Sequence, residues 1–89
     1  MVTVLMTHEV KDFETWKKGF DDGEGLRAAA GVTTNAVYSS VDNENLVTVS
    51  VNFPSVEAVH GFMSSPQLAE AMEAAGVLGK PELTILQQR

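Results

Sequence analysis

Val2-Thr3-Val4 and Ala29-Ala30-Gly31-Val32 return as Val47-Thr48-Val49 and Ala74-Ala75-Gly76-Val77, each 45 positions further on (2 to 47, 29 to 74) in a chain of 89 residues. The chain therefore carries one short plan twice: an apolar strand, a capped helix, and a glycine stop that leads into another strand. A duplicated βαβ plan points to a β-α-β-β-α-β order.

The segments around these repeats fit that order. Val2 to Val10 alternates, with Val2, Val4, Met6 and Val10 on one face and Thr3, Thr7 and Glu9 on the other, which is a strand period; Leu5 is the exception. Asp12 offers a side-chain oxygen as N-cap, and Glu14 adds negative charge in the first helical turn. Phe13, Trp16 and Phe20 share one helical face, and Glu14 and Lys18 have the favourable i, i+4 spacing on the wet side. Gly23 and Gly25 predict a break, followed by a short helical stretch that ends at Ala30, with Gly31 supplying a left-handed residue. Val32 to Val41 reads as a second strand, Asp42-Asn43-Glu44-Asn45 as a polar turn, and Leu46 to Phe53 as a third strand forming a hairpin. Ser55 caps a second helix, Ser65-Pro66 restarts it, and Gly76 ends it. After a Gly79-Lys80-Pro81 loop, Glu82 to Gln88 is expected to be the last strand.

The expected fold is α+β and ferredoxin-like: a four-stranded antiparallel-type sheet with both helical units on one face, formed by residues 1–89 as one domain. The strongly apolar side, with Val47, Val49 and Val51, should face the helices. The other side carries Thr3, Leu5, Thr7, Thr48, Ser50, Thr84 and Leu86, and no segment remains to cover it. Such a half-apolar face is either solvated or an interface. A second copy packed face to face, closing a dimeric α/β barrel, is the expectation adopted.

Composition supports that choice. A chain this short buries only roughly 60–65% of the surface its unfolded form exposes. With no cysteine, neither disulfides nor thiolate metal sites can add stability. That leaves oligomerisation as the source of extra core. The lack of cysteine fits a cytoplasmic protein, and the N-terminal residues lack the basic and apolar regions of a signal peptide. Twelve acidic and six basic residues give a net charge of −6 with no basic stripe, so neither nucleic acid nor an anionic membrane is expected as a partner.

The stretch His8-Glu-Val10-Lys-Asp12-Phe13-Glu-Thr-Trp16-Lys17-Lys-Gly-Phe20-Asp21, continued by Arg27-Ala-Ala-Ala-Gly31-Val32, resembles the first half of the small bacterial dimeric α/β-barrel proteins. Phe62-Met-Ser-Ser-Pro66-Gln-Leu68-Ala-Glu-Ala-Met72-Glu-Ala-Ala-Gly76-Val77, with Gly79-Lys-Pro81, resembles the second half. The resemblance covers nearly the whole chain and implies homodimers of ferredoxin-like protomers. The superfamily includes cofactor-free monooxygenases of antibiotic biosynthesis, haem-degrading monooxygenases, polyketide cyclases and stress-responsive barrel proteins. A fold that hosts so many sites does not choose among them. Haem-degrading members place an iron-ligating histidine on the second helix, an asparagine on the first strand and a tryptophan on the third. Here His60 lies on that helix, but the first-strand position is Thr7 and the third strand has no tryptophan. No cofactor is expected.

Two residues are candidates for catalysis. His8, near the end of the first strand, could serve as base or proton relay; strict alternation buries it beside a helix, where it could equally be a hydrogen-bonded framework residue. Tyr38, on the second strand, could offer a ring and a hydroxyl to a ligand. Trp16, Asn35, Asn52, His60 and Arg27 are candidates for ligand contact. Their structural alternatives are a core position for Trp16, backbone or water partners for the asparagines, a helix surface for His60, and an ion pair with Asp21 or Asp22 for Arg27. No zinc-ligand spacing, dinucleotide glycine pattern or Gly-x-Ser-x-Gly elbow occurs. Two functions remain: a dimer binding a small, largely apolar ligand between sheet and helices, or a cofactor-independent monooxygenase or cyclase acting on an aromatic or polyketide-like substrate.

Overall fold

In a computed structural model that describes residues 1–89, the duplicated plan becomes β1 (Val2–Val10), α1 (Phe13–Asp22), α2 (Glu24–Ala29), β2 (Thr33–Ser39), β3 (Leu46–Phe53), α3 (Val56–Met63), α4 (Pro66–Ala74) and β4 (Val77–Leu86). The strands form one antiparallel sheet in the order β2-β3-β1-β4, the ferredoxin-like arrangement with each helical unit split in two. The caps are those the sequence predicts. Asp12 accepts a hydrogen bond from the Thr15 N–H at 3.0 Å, and Ser55 accepts one from the Ala58 N–H at 3.1 Å. Gly23 closes α1 and precedes α2, while Gly31 and Gly76 take φ values of 76° and 85°. Only glycine adopts such φ values at no steric cost. On the wet face of α1 the ion pair is Lys17–Asp21, at 2.7 Å, where Glu14 and Lys18 were expected to meet.

Register explains which side is buried. Val4 faces Val51, Met6 faces Val49 and His8 faces Val47 across β1 and β3, so these residues share the side that the helices cover. Val47, Val49, Val51 and Phe53 form the floor of the core; Trp16 and Val59 close it from α1 and α3, and Phe53 packs edge-on against Phe62 at 5.6 Å.

Two strand boundaries depart from the sequence expectation. β2 stops at Ser39, because Ser40 and Asn43 begin the turn and leave Val41 wholly exposed. β4 starts at Val77, five residues before the expected Glu82, and runs through Gly79-Lys80-Pro81. The register there shifts from Thr7↔Glu82 to Glu9↔Leu78, so the segment that reads as a loop is a bulge opposite His8. A bulge on an edge strand can hold a proline, which has no N–H to donate, and a glycine at φ 68°. A second irregularity lies between Thr34 and Ala36 and makes Asn35 the extra residue of β2.

The sheet side away from the helices carries a polar ladder between apolar residues. Thr7 and Thr48 hydroxyls meet at 2.9 Å, and the Thr3 hydroxyl donates to Asn52 at 2.8 Å. Leu5 lies between these pairs, with Leu46, Leu86 and Tyr38 exposed around them. On β4 the helix-side residues Leu83 and Ile85 are also exposed, because α4, which has no buried residue, does not reach over them.

Phe53→Ala removes a fully buried ring from the centre of the core. It should lower the unfolding free energy by about 3–5 kcal/mol in denaturant titration; a loss below about 1 kcal/mol would place the core elsewhere.

Candidate functional site

The side chains that line the inner face do not fill it. A cavity of about 90 Å³ lies between the helix-facing side of the sheet and the four helices. Met6, Val49 and Val51 form its floor, Trp16, Phe20 and Phe62 its walls, and Leu68 and Met72 of α4 its far side. Small residues make the space possible. A Cβ on Gly19 would come within 3.1 Å of the Ala75 Cβ, so α1 and the end of α4 approach as closely as glycine allows. The lining is otherwise apolar, and His8 and Arg27 are its only ionisable residues.

His8 is 6% exposed, and neither ring nitrogen has a hydrogen-bond partner in the protein. Its ring stands edge-on to Trp16, with centroids 5.5 Å apart. Burial disfavours the imidazolium and pulls the pKa below its ordinary value of 6.5, so the ring is neutral at physiological pH. A neutral imidazole in an apolar cavity offers one N–H donor and one lone pair to whatever enters. The framework role considered for His8 required hydrogen bonds that are not present. Plain alternation along β1, with His8 opposite Val47, delivers the ring to the cavity.

Arg27 is 9% exposed and lies on α2, its guanidinium carbon 3.8 Å from the centroid of the Phe20 ring. Its Nη2 donates to Glu24 at 3.0 Å, while the buried Nε–H has no partner. The ion-pair partner is thus Glu24, not Asp21 or Asp22. The i, i+3 spacing on α2 brings Glu24 over the guanidinium, and Asp21 is already engaged by Lys17.

The remaining candidates lie elsewhere. Tyr38 is 57% exposed on the open side of the sheet, opposite Thr48. Asn35 and Asn52 are on that side as well, joined to each other at 3.0 Å, with Asn35 also donating to Ser50 at 3.3 Å. His8 and Tyr38 therefore occupy opposite faces of one sheet, and no cavity within a single chain contains both. His60 is exposed on the outer surface of α3. Trp16 is both core and cavity wall. Sequence reasoning missed Met6, Phe62, Leu68 and Met72 as cavity residues, because a residue that packs and one that borders a void follow the same periodicity. No three histidine or carboxylate side chains converge anywhere in the chain.

No protein-family model matches the sequence, and no curated protein is significantly similar to it. Solved structures do share the fold. A Bordetella bronchiseptica protein provisionally named an antibiotic biosynthesis monooxygenase superposes with a TM-score of 0.83 at 16% identity, over 99% of this chain and 96% of that one. A Caulobacter crescentus protein with the same provisional name gives a TM-score of 0.76 at 19% identity, over 99% and 89%. SnoaB, a cofactor-independent oxygenase from Streptomyces nogalater, gives 0.76 at 15% identity, over 99% and 92%. The fold is thus the ferredoxin-like fold that these solved structures share. At these identities the likeness is one of architecture.

The His8 environment sets a pH dependence. Its folded-state pKa lies below 6.5, so the unfolded chain takes up the proton first as pH falls. The contribution is fully present above that value, declines as pH drops below it, and levels off once the folded imidazole also protonates. Urea unfolding between about pH 7 and about pH 5 should show falling stability, with a shallower slope for His8→Leu; equal slopes would assign the titration to another group.

Proposed function

We propose that this protein is a homodimer in which each protomer binds a small, largely apolar molecule between sheet and helices. One observation carries the reading: His8 presents two unpartnered ring nitrogens to an apolar cavity. Buried polar atoms normally have partners, so the site suits a ligand that is mostly hydrocarbon and has a hydroxyl or carbonyl near His8. About 90 Å³ is less than the roughly 150 Å³ of a cavity known to admit benzene. A single ring would therefore displace Leu68 or Met72, and α4, with no buried residue, is the wall able to yield. The dimer is supported by the half-apolar open face of the sheet, on which Leu46, Leu78 and Leu86 are exposed.

A second reading is favoured by the neutral state of His8 and by the shared fold with SnoaB, a cofactor-independent oxygenase. A neutral imidazole can take the proton of an enol or phenol, and the resulting enolate is electron-rich enough to react with dioxygen. If a CH2 group becomes C=O, the substrate loses two hydrogens, one oxygen atom stays and the other leaves as water, so no outside reductant is needed. Dioxygen uptake with benzoylacetone, a one-ring diketone that enolises at its CH2 group, lost in His8→Leu, separates this chemistry from binding alone.

Sedimentation at micromolar concentration should give a dimer, and Leu5→Lys, which puts a charge on the open face and leaves the helix-side core untouched, should give a folded monomer. A monomeric wild-type protein would refute the assembly. Trp16 is the only tryptophan, so its emission reports on the cavity. Phenol should bind more tightly than toluene, and the difference should vanish in His8→Leu; if neither probe perturbs Trp16 saturably, the cavity is not a ligand site.

A further inference from the structure

The cavity has a second polar end. From the His8 imidazole, the wall continues through Trp16, whose ring stacks on Phe20 at 5.1 Å with 25° between planes, to the Arg27 guanidinium, whose carbon lies over the Phe20 ring 3.8 Å from its centroid. A row of rings therefore connects a neutral hydrogen-bonding group to a fixed positive charge. The charge is only partly answered. Arginine has five N–H donors, and here one group, Nη2, reaches a carboxylate, while the buried Nε–H meets nothing. That carboxylate belongs to Glu24, whose side chain is 64% exposed, so solvent weakens its hold on the guanidinium. An arginine that served only as a surface ion-pair partner would not need to lie 91% out of solvent along the edge of an apolar cavity, since 9% of it is exposed. Room has also been left for it: a Cβ on Gly23 would sit 3.2 Å from Arg27 Nη1.

We propose that the ligand of this cavity is a planar aromatic anion, one ring bearing a single carboxylate-type group, which lies along the Trp16 and Phe20 rings with its anionic oxygens on Arg27. The inference rests on the proposed ligand-binding role of the cavity and names the chemical class it accepts. Charge-assisted bonds from a planar fork to carboxylate oxygens are the strong, directional kind. No acidic side chain lines the cavity, and the one carboxylate on Arg27, that of Glu24, is solvent-exposed, so its repulsion of the anion is screened.

Benzoate and benzamide have nearly the same shape and differ in charge at neutral pH, so they serve as probes with Trp16 emission as the readout. Wild-type protein should bind benzoate about tenfold or more tightly than benzamide, with the preference shrinking as salt is raised. Arg27→Gln should bind the two equally, and Arg27→Lys should keep part of the preference. Should Arg27→Gln fail to fold, Glu24→Gln alters only an exposed side chain. It should tighten benzoate binding by freeing the guanidinium and leave benzamide unchanged. Equal binding of both probes by the wild-type protein would overturn the anion assignment while leaving the cavity a ligand site. A benzoate preference that survives Arg27→Gln, or a Glu24→Gln protein unchanged toward benzoate, would do the same. If neither probe binds, the assignment and the ligand-binding reading fall together.

Discussion

One-sided burial governs this molecule. β1 and β3 lie at the centre of the sheet and send Val4, Val10, Val47, Val49, Val51 and Phe53 to the same side, where the helices remove them from water. Apolar area taken from water is the main favourable term in a chain with no disulfide. The arrangement has two consequences. The helices must stay on that side, which leaves the other sheet face uncovered by this chain. They are also short pieces interrupted at Gly23 and at Ser64-Ser65, and short pieces joined by breaks do not tile a twisted sheet without gaps.

The cavity beside His8 is one such gap, and its chemistry follows from how two ionisable groups respond to burial. Histidine gives up its charge when desolvated, because the neutral ring costs little in an apolar setting. A guanidinium cannot do this, so Arg27 keeps its charge and is accommodated by the Phe20 ring and by Glu24 at the rim. The same void therefore holds an uncharged hydrogen-bonding group and a cation, with aromatic rings between them. This differs from the pair suggested by sequence, His8 with Tyr38, which the sheet keeps on opposite faces.

The open side has its own logic. Thr3, Thr7, Thr48, Asn52 and Asn35 satisfy one another by hydrogen bonds along the face, so these side chains depend little on water. Self-satisfied polar groups among leucines can be buried at modest cost, whereas unpaired ones cannot. Tyr38 and Asn35 belong to this open face, whose proposed role is the pairing of two copies, and not to the cavity.

Strand alternation, capping residues and glycine stops are local, and local energetics set them; that is why the element order, the broken helices and the buried parity could be read in the amino-acid sequence. β3 was read to the residue, because its alternation is unbroken and its ends are turn residues. β4 was misplaced, because proline and glycine signal a loop by themselves and become a bulge only when β1 supplies a partner strand. The candidate site was half legible. His8, Trp16 and Arg27 could be named from residue type, but whether a side chain packs, borders a void or faces outward depends on neighbours distant in sequence. The Asn35 bulge shows the same limit: one extra residue in β2 decides how Tyr38 and Asn35 are set on the open side, and no property of either residue announces it. Periodicity tells which side of an element is apolar. Only the packing of separate elements decides where that apolar side leaves room, and for what.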